Sequence, residues 1–255
     1  MILNIKLLVA LTLLGISTAS AQMEKIDTDR PDQTESPAIT PKKWIQLEMG
    51  FTMQQNNKTE KEFLLPTLLS KYGISKKVEF RLITTLNYFS TTGNSNYTTG
   101  LEPVEVGTKI ALTEEKKWIP KTSLLFHVAI PGLASKSLRA DKLAPNFRLS
   151  MQHTFSKLMG LGYNLGADWD GFSNTTTWAY TISPGFNLGE KWYSYIEAFG
   201  FIAKDEPAQH NIDGGVAYYI NDNTKVDISS GFGISKTAPD WYFAIGASIR
   251  FKKGN

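Results

Sequence analysis

Hydrophobic and polar residues alternate one by one over many short stretches of this chain. In residues 44–54, apolar side chains occupy every second position, and polar or small residues fill the positions between them. The same period of two recurs in residues 78–88. Successive side chains of a β-strand point to opposite faces. The pattern therefore predicts strands that have one apolar face and one polar face.

Twelve stretches fit this period, although two of them, 62–72 and 121–130, fit it less well. A tilted strand needs about 9–11 residues to cross the hydrocarbon of a membrane, and the stretches are of that order. The predicted fold class is all-β, a transmembrane antiparallel up-and-down β-barrel of about twelve strands. The stretches are 44–54, 62–72, 78–88, 104–112, 121–130, 146–155, 161–169, 175–188, 192–203, 211–220, 225–235 and 241–251.

The connections between these stretches alternate between two kinds. Outer-membrane barrels have short periplasmic turns and longer extracellular loops, and an even number of strands returns both chain ends to the periplasm. The short connections are 73–77, 114–117, 157–160, 189–190 and 221–223. The other connections, which tend to be longer and are rich in Gly, Ser, Thr, Asn and charge, are 56–61, 90–101, 131–143, 170–174, 204–210 and 236–240.

The first 21 residues have the pattern of a secretory signal peptide. Lys6 precedes an apolar run over residues 7–16, and Ala19-Ser20-Ala21 forms a small-residue cleavage site. The predicted domains are a signal peptide (1–21), an N-terminal periplasmic or lumenal segment (22–42) and an outer-membrane β-barrel (43–255). The chain has no cysteine, so disulfides do not contribute to its stability. Its predicted location is the outer membrane of a Gram-negative cell.

Aromatic residues and the last predicted strand support a membrane location. Outer-membrane barrels carry aromatic girdles at both interfaces. The last stretch, 241–251, ends in Phe251 and resembles the C-terminal assembly signal of such barrels, although four residues follow Phe251. We therefore expect outer-membrane lipid and the barrel assembly machinery as partners. Aromatic residues at or near predicted strand boundaries are Trp44, Trp118, Trp169, Trp192, Tyr193, Tyr218 and Trp241.

Composition argues against several other functions. The net charge is only +3, and no Lys/Arg cluster interleaves with aromatic residues, so no nucleic-acid partner is expected. His127, His153 and His210 have no second ligand at a metal-binding spacing, and no G-x-S-x-G motif is present. We predict no catalytic residues, no metal and no cofactor. An enzyme site assembled across strands stays open as an alternative.

Charged residues of both signs occupy the predicted inner faces of the strands. They are predicted to line the lumen and to filter solutes by charge. A barrel of twelve strands lies between filled eight-stranded barrels and the wide porins, so the predicted function is an outer-membrane channel or transporter for small solutes. The alternative is a structural or surface-interaction barrel without an open pore. The residues are Glu48, Glu79, Arg81, Glu105, Lys109, Arg148, Asp168, Glu197, Asp213, Lys225 and Asp227.

Residues 28–37 read T-D-R-P-D-Q-T-E-S-P, and residues 42–51 read K-K-W-I-Q-L-E-M-G-F. These two runs resemble the start of the family described as "Putative MetA-pathway of phenol degradation". The resemblance implies an outer-membrane barrel that transports small, hydrophobic or aromatic compounds, without naming a substrate. The residues singled out in this N-terminal motif are Asp29, Arg30, Pro31, Asp32 and Glu35.

Clustered acids and prolines prevent residues 27–37 from forming a regular helix or a central strand. We hypothesise that the segment folds into or under the barrel. Arg30 and its neighbouring acids would then pair with lumenal charges such as Glu48 or Arg81. Deletion of residues 22–40 tests this hypothesis, because it should alter folding or conductance.

Overall fold

The computed structural model describes residues 24–91 and 97–254. The predicted signal peptide therefore lies outside the described residues. Two short 3-10 helices, Pro131–Leu133 and Lys136–Leu138, lie in one loop. The strands are β1 (Trp44–Gln55), β2 (Glu60–Gly73), β3 (Val78–Thr91), β4 (Tyr97–Leu101), β5 (Val104–Thr113), β6 (Lys121–Ile130), β7 (Ala144–Thr154), β8 (Met159–Asp168), β9 (Thr177–Leu188), β10 (Trp192–Ala203), β11 (Gln209–Asn221), β12 (Thr224–Gly233) and β13 (Trp241–Lys252).

These strands form one closed antiparallel sheet. Strand β3 pairs with β5 along one part of its length and with the shorter β4 along another, so β4 and β5 together occupy one position in the sheet. Strand β1 pairs with β13 and closes the barrel. The described residues thus form a barrel of twelve strand positions, which confirms the predicted fold class.

The prediction of a loop over residues 90–101 is wrong. Strand β3 extends to Thr91, and residues 97–101 form β4, which pairs with residues 86–90 of β3. The rings of Tyr88 and Tyr97 stack with their centroids 5.3 Å apart, and cross-strand aromatic pairs of this kind stabilise a sheet. The high content of Gly, Ser and Thr concealed this pairing in the sequence.

The alternating sequence places polar side chains inside the barrel and apolar side chains outside it. On β1, Gln46 and Glu48 are 2% and 1% exposed, whereas Met49 and Phe51 are 39% and 38% exposed. The same contrast holds on β3 between Arg81 (0%) and neighbouring Phe80 (40%). Soluble proteins rarely leave a continuous apolar surface in water. The outer face therefore contacts lipid, and the protein is an outer-membrane β-barrel.

The two ends of the barrel differ in the length of their connections. At the short-turn end, β9 and β10 are joined by residues 189–191, where Gly189 has a positive φ of 80° that favours glycine. At the loop end, residues 131–143 join β6 to β7. In outer-membrane barrels the short turns face the periplasm. The described residues contain no helix that is long and apolar enough to span a bilayer.

Aromatic residues cluster at the strand ends, but not all of them face lipid. Trp192 begins β10 and packs against Tyr218 of β11, with ring centroids 4.8 Å apart. Trp118, in a short turn, is 92% exposed. The ring of Tyr193, by contrast, lies inside the barrel, where Lys225 Nζ is 5.9 Å from its centroid. Tyr193 therefore contributes to the lumen and not to an aromatic girdle.

Candidate functional site: the N-terminal segment inside the barrel

The residues 26–41, called here the N-terminal segment, lie inside the barrel. At one end, the backbone N–H of Ile26 donates to the carbonyl of Asp222 in a short turn. At the other end, the N–H of Thr40 donates to Glu79 on β3 over 2.7 Å. Ile26 and Thr40 are 1% and 4% exposed. The segment therefore crosses the lumen and is enclosed by the strands.

The segment separates two groups of inward-facing charges. The ion-pair wall, formed by β1, β2, β3 and β5, carries two carboxylates and three cations, namely Glu48, Lys71, Glu79, Arg81 and Lys109. The acidic wall, formed by β10, β11 and β12, carries three carboxylates and one lysine, namely Glu197, Asp213, Lys225 and Asp227. The segment contributes its own charges to both walls.

Asp29 is the centre of the contacts with the ion-pair wall. One of its carboxylate oxygens lies 2.8 Å from Arg81 Nη1 and also contacts Lys71, and the other lies 3.0 Å from Lys109 Nζ. Its backbone N–H donates to Glu48 over 3.0 Å. Burial raises the pKa of Asp29, but the three cations outweigh this effect and hold the pKa well below its usual value. Asp29 is therefore ionised at neutral pH.

Glu35 binds the same wall and also fixes the backbone of the segment. Its carboxylate accepts from Arg81 Nη2 over 2.9 Å. The backbone N–H of Glu35 donates to Asn164 Oδ1 over 2.7 Å, and its carbonyl accepts from Asn164 Nδ2 over 3.0 Å and from Ser150. Burial raises the pKa of Glu35 to about 7, because it outweighs the effect of Arg81. The carboxyl group therefore titrates near neutral pH.

Arg30 points to the opposite side of the segment and lies against two glycines. Its Nη2 is 2.9 Å from Asp227 Oδ1 on β12. Gly50 of β1 and Gly246 of β13 are paired residues of adjacent strands. A Cβ at Gly50 would lie 2.0 Å from Arg30 Nη1, and one at Gly246 would lie 2.3 Å from its Nε. The two glycines therefore form a slot for the guanidinium group.

The acidic wall holds the segment mainly through hydrogen bonds. The hydroxyl of Thr34 donates to Glu197 Oε1 over 2.5 Å, and the backbone N–H of Gln33 donates to Glu197 Oε2 over 2.7 Å. Ser183 donates to Asp32 over 3.1 Å. Burial raises the pKa of Asp32 to about 7. Lys225 donates to the carbonyl of Arg30 over 2.7 Å.

Seven of the eleven predicted lumen residues contact the segment directly. The other four bind elsewhere in the interior. Asp213 accepts from Tyr242, Glu105 accepts from Asn146, and Arg148 pairs with Asp168, with Nη1 and Oδ1 2.5 Å apart. The seven are Glu48, Glu79, Arg81, Lys109, Glu197, Lys225 and Asp227.

Several residues of this site were not predicted from the sequence. Lys71 lies 2.5 Å from Glu48 Oε1 and also contacts Asp29, yet it stands in one of the two weaker predicted strands. Its position two residues after inward-facing Leu69 was the available signal. His127 accepts from Arg81 Nε over 2.9 Å and so orients the guanidinium group. Neutral residues such as Asn164 also bind the segment, but the pattern of charges on the inner faces does not reveal them.

Two cavities lie on opposite sides of the segment. The cavity toward the loop end has a volume of about 460 Å³, and Phe199, Phe201 and Tyr242 form part of its lining. The cavity toward the short-turn end has a volume of about 250 Å³. Arg30, Asp32 and Glu35 line both cavities. These three side chains therefore form the partition between the two spaces.

The other histidines take part in local contacts at the ends of strands. His210 bonds to Tyr180 over 2.8 Å, and His153 lies 3.9 Å from Glu115. Within residues 24–91 and 97–254, no group of three or more His, Asp or Glu side chains is arranged to hold a metal ion.

The family model described as "Putative MetA-pathway of phenol degradation" matches residues 28–251. The chain belongs to this family. The match confirms the resemblance, and it covers both the N-terminal motif and the strands of the barrel. No match is found among the curated proteins.

Solved structures with the same fold include an outer membrane channel from Pseudomonas putida F1 and two porins. The P. putida channel is 9% identical with a TM-score of 0.69, and the alignment covers 89% of this chain and 100% of that one. The NanC porin is 10% identical with a TM-score of 0.54, over 80% of this chain and 98% of its own. The KdgM porin is 9% identical with a TM-score of 0.54, over 81% of this chain and 99% of its own. At this identity the similarity shows a shared fold.

Proposed function

We propose that this family member is an outer-membrane channel for small solutes and not an enzyme, and that the N-terminal segment forms its constriction. The observation that carries this proposal is the partition formed by Arg30, Asp32 and Glu35, each of which lines both cavities. A solute that crosses the barrel must pass these side chains. The constriction is therefore lined by charged side chains.

The dimensions of the barrel support a narrow path. Eight-stranded barrels are filled by side chains, and barrels of 16–18 strands leave a wide channel. In this barrel the segment occupies part of the interior, and cavities of about 460 and 250 Å³ remain beside it. We therefore assign small solutes to the channel, in agreement with the P. putida channel and the porins that share its fold.

The loop-side cavity supports solutes with an apolar or aromatic part. Phe199, Phe201 and Tyr242 line it together with aliphatic residues, among them Leu64 and Leu69. Ligand sites are commonly lined by apolar and aromatic side chains and have a few polar groups that fix orientation. The polar groups in this cavity include Arg30 and Asp32 at its floor. The partners we propose are this class of solute, outer-membrane lipid around the barrel and the barrel assembly machinery acting on β13.

A second candidate function, a structural barrel without an open pore, is favoured by the dense bonding of the segment. Asp29 alone contacts three cations of the ion-pair wall. A segment held in this way would close the lumen permanently. Electrical conductance distinguishes the two functions, because only an open path passes ions.

The test compares the mature chain with a variant that lacks residues 22–40 in planar lipid bilayers. We expect small, discrete conductance steps from the mature chain and steps several-fold larger from the variant, since the deletion removes the partition. Heat-modifiable gel mobility checks that both proteins are folded. Absence of conductance in the folded mature chain would overturn the channel function and would favour a structural barrel without an open pore. Equal conductance in the two folded proteins would overturn the proposal that the N-terminal segment forms the constriction.

A further inference from the structure

Three glutamates near the loop end of the lumen are bound by two asparagines, Asn87 and Asn146. Asn87 Nδ2 on β3 lies 2.6 Å from Glu62 Oε1 and 2.7 Å from Glu102 Oε1. Glu105 on β5 accepts from Asn146 over 2.9 Å. Within residues 24–91 and 97–254, none of these three glutamates forms an ion pair. These three carboxyl groups are therefore bound by amides and are not paired with a cation.

The same region contains an unfilled hydrogen-bond acceptor and a cavity. Asn87 is only 7% exposed, and among the described residues its Oδ1 has no hydrogen-bond partner. Glu102 and Glu105 line a cavity of about 380 Å³ together with Asp168. A buried acceptor without a partner costs free energy unless a donor reaches it. The region therefore has a buried acceptor and open space for an additional hydrogen-bond donor.

Among the described residues, the basic groups near Glu105 are the guanidinium groups of Arg148 and Arg81. Arg148 is held by Asp168 through two contacts of 2.5 and 2.7 Å. The nearby loops carry Lys136, Arg139 and Lys142, but these side chains are exposed to solvent. Exposed charges are screened over about 8 Å at physiological salt. They offset the charge of the enclosed acids only weakly.

The excess of carboxylates continues at the level of the segment. Eight carboxylates face five basic groups there, and four carboxylates face Arg148 near the loop end. Among these residues the acids outnumber the bases. Asp32 and Glu35, whose pKa values are raised to about 7, carry part of their negative charge at neutral pH, and buried Arg250 adds a base at the short-turn end. The eight are Asp29, Asp32, Glu35, Glu48, Glu79, Glu197, Asp213 and Asp227, and the five are Arg30, Lys71, Arg81, Lys109 and Lys225.

We propose that this lumen prefers cations, and that the solutes of the channel are small molecules with a positive charge and an apolar or aromatic part. Acidic side chains that line a pore select cations in channels, and Glu62, Glu102 and Glu105 form an acidic group at the loop end of this lumen. The aromatic lining of the loop-side cavity accommodates the apolar part. This inference rests on the proposed channel function and specifies its solute class.

The experiment measures reversal potentials in a KCl gradient across planar bilayers. We expect the current through the mature chain to reverse toward the equilibrium potential of K⁺. The variant E62Q/E102Q/E105Q keeps an oxygen acceptor for each asparagine but removes three charges, so its reversal potential should move toward zero. The control variant E114Q/E190Q/E206Q removes three exposed glutamates from turns and a loop, and it should retain the reversal potential of the mature chain.

Benzylamine and benzoate serve as solute probes because they share a ring and carry opposite charges near neutral pH. We expect benzylamine to block the current at a concentration about tenfold lower than benzoate, which corresponds to about 1.4 kcal/mol in binding. Conductance with a reversal potential at zero or toward Cl⁻, or stronger block by benzoate, would overturn the cation preference and leave the channel standing. A folded protein without conductance would overturn the channel function itself, and this inference with it.

Discussion

The two walls that hold the N-terminal segment use different physical means. On the ion-pair wall, three buried cations surround Asp29, and Arg81 alone contacts Asp29, Glu35 and Glu79. On the acidic wall, Glu197 accepts hydrogen bonds from Thr34 and the backbone of Gln33. Arg30 forms the ion pair with Asp227 there.

This difference shows which contacts fix the segment and which leave it adjustable. A buried charge is costly unless it is paired, and removal of one partner is strongly destabilising. The contacts of the ion-pair wall therefore depend on one another. Hydrogen bonds between neutral and charged groups contribute less each. We infer that the acidic wall releases the segment more readily than the ion-pair wall.

Single cysteines can report on each wall separately, because the chain has no cysteine of its own. Thr40 bonds to the ion-pair wall through its backbone N–H, and its side chain is buried. Ile26 is buried at the opposite end of the segment, where its N–H bonds to Asp222. The rate of maleimide labelling of T40C or I26C therefore measures how often each end leaves the lumen.

The largest effect is expected from Arg81→Met. The substitution leaves Asp29, Glu35 and Glu79 buried without this cation, so docking of the segment should weaken by about 3–5 kcal/mol. The rate of maleimide labelling of T40C should increase by the factor that corresponds to this loss of docking free energy. Arg139→Met, which alters an exposed loop residue, is the control and should have no effect. Equal labelling rates in the two variants would show that the ion pairs do not hold the segment.

A smaller effect is expected from Gly50→Ala combined with Gly246→Ala. Each new Cβ would lie within 2.3 Å of the Arg30 guanidinium, and overpacking of this kind costs about 1–3 kcal/mol. Labelling of I26C should increase more than labelling of T40C, because the ion pairs of Asp29 are unchanged. Gly132→Ala, where a Cβ meets open space, is the control. Equal increases in the labelling rates of I26C and T40C would contradict the inference that the two walls release the segment independently.

The smallest effect is a pH dependence that arises from Asp32. Because its pKa rises to about 7 inside the barrel, from about 3.9 when exposed, the carboxyl group binds a proton on docking. Its contribution to docking is full below pH ~4 and is lost as the pH rises through about 7. Asp29 has the opposite shift, so its contribution weakens only in acid, below about pH 4.

Asp32→Asn tests this dependence by the ratio of I26C labelling rates in the parent and in the variant. The ratio cancels the pH dependence of the maleimide reaction itself. We expect the ratio to rise a few-fold between pH 5 and pH 8, while Glu35, whose pKa is also raised to about 7, gives both proteins the same residual dependence. A ratio that stays constant or falls would rule out a proton bound at Asp32.

The barrel was predictable because its physical cause is local. Lipid outside and polar contacts inside favour a period of two along each strand, and in most of the strands that period is visible within about ten residues. Residues 97–101 escaped detection because Y-T-T-G-L is short and lacks alternation. The pairing of β4 with β3 depends on cross-strand contacts such as Tyr88 with Tyr97, which sequence composition does not reveal.

The partners of the segment were harder to predict because they depend on closure of the barrel. The sequence indicated charged partners for the motif and suggested Glu48 or Arg81. In the structure, Arg81 binds Asp29 and Glu35, whereas Arg30 binds Asp227, which is 197 residues away along the chain. No local pattern connects these two positions. Their proximity follows from β12 lying next to β13, which pairs with β1.

The glycine slot also has a consequence for the order of assembly. Gly50 and Gly246 belong to the first and last strands of the closed sheet, so the slot exists only after the seam between these strands has formed. Arg30 can therefore enter it only in a completed barrel. Seating of Arg30 therefore follows closure of the barrel, and an occupied slot marks a barrel whose first and last strands have paired.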